Sequence, residues 1–401
     1  MPSNTKLIAF INASHALCHY CLLILPTAVL AMVTEGGMFG REYGPVLAMA
    51  TGMFVLYGLL SLPQGWLADR FGRRRMIAVY LFGVGVALIA CGLARTTLAF
   101  ELALTVAGAF AAIYHPVGTA MLVELAGDRP GRALGTNGVC GNVGVALAPV
   151  ATAALATRFG WQAAFVVPGL VFLALGVAWL RVPTAAAVGH RATQPFAPIP
   201  RALVRRAVIV LLLLAVVSGL VFNAFTLLVP KLMQERLDGE ALPLVGAVAF
   251  AATLCGALAQ FTVGRLIDRM RLKRLFLPIS LALVPGLVAV ALVPGWLVVP
   301  AAGLVSAAVF GQVTLNETMT ARYISPELRA KIYSVRFFVG FLGAAAAAPL
   351  VGLLFERSGS LAMPTLVLAG VSTVTLSCAL FFPDRKEELQ PELWAAAVPA
   401  E

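Results

Sequence analysis

Roughly twelve apolar runs, each long enough to cross a bilayer, fill this chain between residues 7 and 382. That feature leaves few folds open. Inside hydrocarbon every backbone N–H and C=O must find its partner within the structure, so a spanning segment is a helix or part of a closed barrel. Continuous apolar runs of about 20 residues, without the alternation of a barrel strand, read as helices. Of the 401 residues 60% are hydrophobic and 12% charged. Water cannot solvate such a surface, so lipid is the expected outer solvent.

The formal charge of +11 suggests nucleic acid only until the charges are placed. With a cytoplasmic N-terminus, six basic residues (Arg41, Arg95, Arg158, Lys231, Arg236 and Arg357) fall on the outer side, and Arg336 lies within a helix. The other 22 of the 29 Lys and Arg then fall on the inner side. This is the positive-inside pattern, and it reports topology with both termini cytoplasmic. Nucleic acid is disfavoured as a partner. All six cysteines (18, 21, 91, 140, 255 and 378) lie in apolar runs and read as small packing residues. The first run is too long for a signal sequence and reads as a retained first helix.

One phrase occurs twice. Gly65-Trp-Leu-Ala-Asp69-Arg70-Phe-Gly72-Arg73 returns as Gly264-Arg-Leu-Ile-Asp268-Arg269-Met-Arg271, with Gly264 following Gly65 by 199 residues. The same offset carries Gly141 to Gly340, Gly144 to Gly343, Arg158 to Arg357 and Gly160 to Gly359. Two distant pairs of segments in one register mark a parallel internal repeat. We expect a first six-helix bundle at 1–181, a cytoplasmic linker at 182–206, a second bundle at 207–383 and a cytoplasmic tail at 384–401. The linker holds Pro183, Pro195, Pro198 and Pro200. In such repeats the binding site lies between the halves near the midplane and opens to either side in turn.

The residues at the repeated phrase resemble the major facilitator superfamily. Gly65-x-x-x-Asp69-Arg70-x-Gly72-Arg73-Arg74 is similar to its signature between the second and third helices. Gly160-Trp161-Gln162-x-x-Phe165 is similar to a second family phrase. Within that superfamily, His15-x-x-x-His19 with Leu25-Pro26, Tyr114-His115-Pro116 and the run from Gly141-Asn142 to Ala148-Pro149 resemble the fosmidomycin-resistance type of exporter. The resemblance implies an all-α membrane protein of twelve transmembrane helices in two pseudo-symmetric bundles, with the first, fourth, seventh and tenth helices around a central cavity. It further implies an inner (plasma) membrane carrier that is a monomer.

Polar residues on those four helices are expensive unless they face the cavity or one another. They are His15, His19, Tyr20, Tyr114, His115, Asn223, Gln312, Thr314, Asn316 and Glu317. Histidine changes charge near neutral pH at low cost, so His19 and His115 are the first candidates for a proton or substrate site. The alternative is a neutral histidine hydrogen-bonded within the bundle. Glu317 is expected either to bind a proton or cation or to pair with Arg322 or Arg329. Arg336 should partner Asp69 across the inner seam, Asp268 should approach Asn137, and Glu124 should pair with Arg70 or Arg73. With Arg269, these form an expected inner latch that controls movement without reading substrate.

The chain carries no phosphate-cradling loop, nucleophile elbow or metalloprotease helix, so neither an enzyme nor a cofactor is expected. The expected activity is secondary transport: proton-coupled efflux of a small organic compound first, uptake of a small organic solute or anion second. His15, Cys18 and His19 on one helix face, with Met49 and Met53 on the next helix, keep soft-metal transport as a minor alternative, although no ligand set there is complete.

Overall fold

The computed structural model describes residues 2–126, 130–182, 199–238 and 240–389, and among them there is no β-strand. Most of the expected linker and the end of the tail lie outside those residues. Twelve helices are long and apolar enough to span a membrane. They are α1 Asn4–Glu35, α2 Tyr43–Ser61, α3 Arg73–Leu93, α4 Thr97–Ala126, α5 Ala133–Phe159, α6 Ala163–Arg181, α7 Arg201–Arg236, α8 Leu242–Ile267, α9 Leu272–Leu292, α10 Gly295–Tyr323, α11 Phe338–Ser358 and α12 Ala362–Phe381. The α11 helix begins earlier, at Pro326, so Arg336 lies on its first turns.

The two halves repeat one packing plan. In the first, α1 packs on α5, α2 on α4 and α3 on α6. In the second, α7 packs on α11, α8 on α10 and α9 on α12. Glycine makes the closest of these crossings possible. A Cβ on Gly144 would stand 1.9 Å from the Ala16 carbonyl oxygen, and one on Gly343 would stand 2.7 Å from the Leu220 nitrogen. The ends are stapled alike as well. Arg74 at the start of α3 donates to the carbonyls of Trp179 and Leu180 at the end of α6, at 3.1 and 3.2 Å. Lys273, at the same offset, donates to the Leu380 carbonyl at 2.7 Å.

Two helices of the first half are interrupted at mid-membrane. The α1 helix breaks after Leu22 and resumes at Leu25, beside Pro26. The α4 helix stops at Ala111 and resumes at Tyr114, because Pro116 has no N–H to donate and crowds the turn before it. These breaks bring irregular backbone to the centre of the bundle, where it is tolerated only against protein or a cavity.

The halves touch at the end of the bundle away from the termini. There the Gly44 N–H donates to Glu356 at 2.7 Å, and the Lys231 ammonium sits 5.6 Å from the rings of both Tyr43 and Phe355. Deeper in, Tyr57 packs edge-on against Phe341 at 4.9 Å, and α5 meets α8 where Gly246 abuts Pro149. At the termini-bearing end, no hydrogen bond, ion pair or ring contact links residues 61–75 to the second half among the described residues.

Candidate functional site

The i, i+4 spacing of His15 and His19 puts both rings on one face of α1, and the α4 break delivers Tyr114 and His115 opposite them. Ring centroids are 4.8 Å apart for His15–His19, 5.0 Å for His15–His115 and 5.3 Å for His19–His115. Tyr114 stacks on His15 at 5.0 Å with the planes 17° apart. Gly141 of α5 clears the space for this cluster, since a Cβ there would come within 2.6 Å of the His15 ring. His15 is buried, and His19 and His115 are half-buried.

The hydrogen bonds fix a direction. A carbonyl can only accept, so His15 Nδ1–H donates to the Asn137 carbonyl at 2.6 Å. In the neutral ring that leaves Nε2 as an acceptor, and it receives the Nε2–H of His19 at 3.1 Å. The His19 Nδ1 lone pair then ends the chain. Around it, the Asn137 amide donates to Asn12 at 2.9 Å and to the Tyr114 hydroxyl at 3.0 Å. The hydroxyls of Tyr114 and Tyr80 donate to the carbonyls of Ile11 and Ser14 at 2.9 and 2.8 Å. Such a network fixes the rings and leaves a proton acceptor at one defined end.

Other expected residues sit elsewhere. Tyr20 is buried on α1 but joins none of the cluster's ring contacts. Asn223 donates to Gly219 within its own helix at 2.7 Å. Gln312 and Asn316 on α10 are buried, and the Gln312 amide nitrogen and Asn316 carbonyl oxygen find no partner in the protein. The Thr314 hydroxyl beside them is also unpaired.

The latch residues are arranged differently from expectation. Arg73 pairs with Glu124, one of the two partners expected for it. Arg336 reaches Thr320 at 2.5 Å and Glu317 at 3.4 Å, both on α10, while Asp69 is exposed at the open end. The Asp69–Arg336 pair is therefore not made here, because the seam it would bridge is apart. Glu317 takes Arg336 rather than Arg322, and the side chain of Arg329 lies outside the described residues. Asn137 does not approach Asp268. It is buried in the histidine network, and Asp268 is exposed at the end of α8. Arg70 lies over Trp66, and Arg269 is exposed.

Four residues that sequence reasoning did not single out complete the surroundings. Asn12 and Tyr80 close the network, Tyr57 stands 6.2 Å from His115, and Gln260 of α8 accepts a hydrogen bond from Asn142 across the halves. Asn12 and Gln260 were visible as amides within apolar runs. The tyrosines carried no such signal, since buried tyrosine is common in any helix core.

Family comparison agrees with this architecture. The model of the Major Facilitator Superfamily matches residues 16–311 and 239–399, nearly the whole chain. The chain belongs to the major facilitator superfamily. Over 348 residues it is 27% identical to the 3-(3-hydroxy-phenyl)propionate transporter of Escherichia coli, covering 84% of each chain. It is 33% identical over 192 residues to the 4-hydroxybenzoate transporter PcaK of Pseudomonas aeruginosa, 44% of this chain and 41% of that one. With the probable L-galactonate transporter of Escherichia coli the match is 27% over 156 residues and spans only 34% of that relative. A solved bacterial homolog of the human lysosomal transporter Spinster, in an inward-facing and unoccupied conformation, shares the fold with a TM-score of 0.72 over the full length of both chains at 15% identity. The chain is thus a multi-pass membrane protein of this superfamily, and by sequence it spans well under half the length of PcaK and of the probable L-galactonate transporter.

Proposed function

We propose that this chain moves a small organic anion together with a proton across the inner membrane, with both termini cytoplasmic, and that His15, His19 and His115 are the proton site. The observation that carries the reading is a three-imidazole cluster with its hydrogen-bond chain anchored at Asn137 and open at His19. A neutral cluster in a low-dielectric bundle has little to offer an anion. Protonating one ring creates the positive charge that attracts it. Two imidazolium charges about 5 Å apart would repel by about 3 kcal/mol at an effective dielectric of 20, so the cluster carries one proton rather than three. Proton and anion then stabilise each other, which is the thermodynamic meaning of coupling. Gln312, Thr314 and Asn316 would supply hydrogen bonds from the facing half. Relatives named for hydroxybenzoate, hydroxyphenylpropionate and galactonate support an organic acid.

Efflux of a small organic compound is the second reading, favoured by the exporter-like phrases around His15, Tyr114 and Gly141. The two separate in vesicles of known orientation. Symport accumulates anion in the direction of proton flow, and antiport moves it against that flow. In the first arm, His19→Gln with His115→Gln should cut proton-driven flux by about tenfold or more, the scale of a typical coupling free energy. Unchanged coupling in that double variant would defeat the proton site.

Opening the other face requires the contacts of Glu356 and Lys231 to part and the termini-bearing end to close, with Asp69 meeting the basic residues of α11. Replacing Asp69 with Asn should favour the state seen here. A cysteine placed at Ser61 should then label faster from the termini side than in the parent, and equal labelling would count against the latch.

A further inference from the structure

We infer that His15, His19 and His115 also form a binding site for one divalent transition-metal ion of the zinc class. This uses the same imidazoles as the proposed proton site but does not depend on their carrying a proton. One nitrogen from each histidine can be chosen so that all three lie within 4.8 Å of one another. His15 Nε2 and His19 Nε2 are 3.1 Å apart, close to the about 3.3 Å that separates two nitrogens on a tetrahedral ion with bonds of 2.0–2.1 Å. His115 closes the group from α4, its ring centroid 5.0 Å from that of His15 and 5.3 Å from that of His19, and turning its ring would bring the third nitrogen to the same ion.

The surroundings fit a ligand set. His15 donates Nδ1–H to the Asn137 carbonyl, the kind of outer bond that orients a ligating imidazole and directs its Nε2 lone pair inward. A pair at i and i+4 on one helix is a rigid chelate. His19 needs only to exchange its tautomer, moving its proton from Nε2 to Nδ1, so a neutral cluster binds the ion without losing a proton. An already protonated cluster releases one to the cavity. Three neutral nitrogens without a carboxylate suit zinc, cobalt, nickel or copper and do not suit calcium or magnesium, which require oxygen. The Cys18 thiol is turned away, toward the Ala111 carbonyl at 3.9 Å. Three protein ligands leave a fourth position for water or for an anionic oxygen. His19 and His115 are half-buried, which gives an ion a way in.

Tag-free protein purified in detergent and titrated with Co2+ should bind one equivalent and develop the visible absorption of a tetrahedral nitrogen-bound ion. Zn2+ should displace it, and X-ray absorption of the zinc-loaded chain should show three nitrogen neighbours near 2.0 Å. His19→Gln and His115→Gln should each weaken binding by about a hundredfold or more, while Asn223→Ala should leave it intact. If a histidine variant unfolds, the spectrum of the unaltered chain still decides. No saturable binding, or a shell of sulfur or mainly oxygen, overturns the inference. Failure here with histidine-dependent proton flux intact removes the metal site alone. Metal binding with flux indifferent to the histidines removes the transport reading alone.

Discussion

At the 199-residue offset, His15, His19, Tyr114, His115 and Asn137 of the first half fall on Leu214, Ser218, Val313, Thr314 and Arg336 of the second. The packing around them is repeated to within a residue. Gly141 stands against His15, and its counterpart Gly340 stands against Ala215. The chemistry is not repeated. At these positions the first half buries a hydrogen-bonded network that ends in an open imidazole nitrogen, and the second carries Ser218 and Thr314, whose hydroxyls bond to nothing in the protein, as do those of Ser14, Thr27 and Thr152 elsewhere in the first half. One backbone plan thus carries different side chains at these five positions. A fixed polar chain suits a site that must hold a proton in one place, and unsatisfied groups suit a surface completed by its ligand.

The comparison is most severely broken at the glycines. Gly144→Ala would drive a methyl group into the Ala16 carbonyl, backbone that cannot step aside, and should lower stability by about 3 kcal/mol or prevent folding. Gly343→Ala meets the Leu220 nitrogen at a longer 2.7 Å and should cost less. Thermal unfolding in one detergent ranks the two. Equal losses would mean that the halves are packed equally tightly.

Next comes the polar contrast. Asn137→Leu leaves Asn12 without its donor and the Tyr114 hydroxyl without the amide, so it should cost about 1–3 kcal/mol and disturb the orientation of His15. Ser218→Ala removes a hydroxyl that already lacks a partner and should change stability by less than about 0.5 kcal/mol. If substrate completes the second half, Ser218→Ala or Gln312→Leu should instead weaken ligand-induced stabilisation, measured by the rise in unfolding temperature on adding a hydroxybenzoate. Loss of that rise with unaltered basal stability would sharpen the division of labour. An equal loss of basal stability from Asn137→Leu and Ser218→Ala would erase it.

The fold was legible because bilayer physics leaves little choice. Run length, the placement of basic residues and the phrase at Gly65 and Gly264 all depend on local sequence alone. The histidine cluster was half legible: His15 and His19 announce themselves by spacing, and His115 by its proline, but their meeting depends on two helix breaks and on Gly141. The partners of Arg336 and Asn137 were not legible. The offset maps one onto the other, so symmetry assigned both to one latch, whereas burial in the first half drew Asn137 to Tyr114 and the open seam left Arg336 to Glu317. Repeat symmetry predicts backbone position and not side-chain partner, because the two halves have diverged in what they must solvate.

The smallest effect expected concerns a tie on the second half. Beyond α12 the chain folds back, and the buried Glu388 accepts from the Leu272 N–H at the start of α9 at 2.8 Å and from the Tyr323 hydroxyl at the end of α10. Burial holds the Glu388 carboxyl above the usual carboxylate range, with its hydrogen bonds and Arg322 acting in opposition. The folded chain then binds this proton more tightly than the unfolded chain does. Its contribution to stability is fully present below the ordinary glutamate range and is lost as pH rises through the folded value. Glu388→Gln, which stays neutral, should follow the parent in acid and become the more stable of the two as pH climbs from about 4 to about 7. Unfolding temperatures across that range decide the matter. A parent that gains on the variant instead would show that Arg322 outweighs burial, and that the tail is held to the second half by charge.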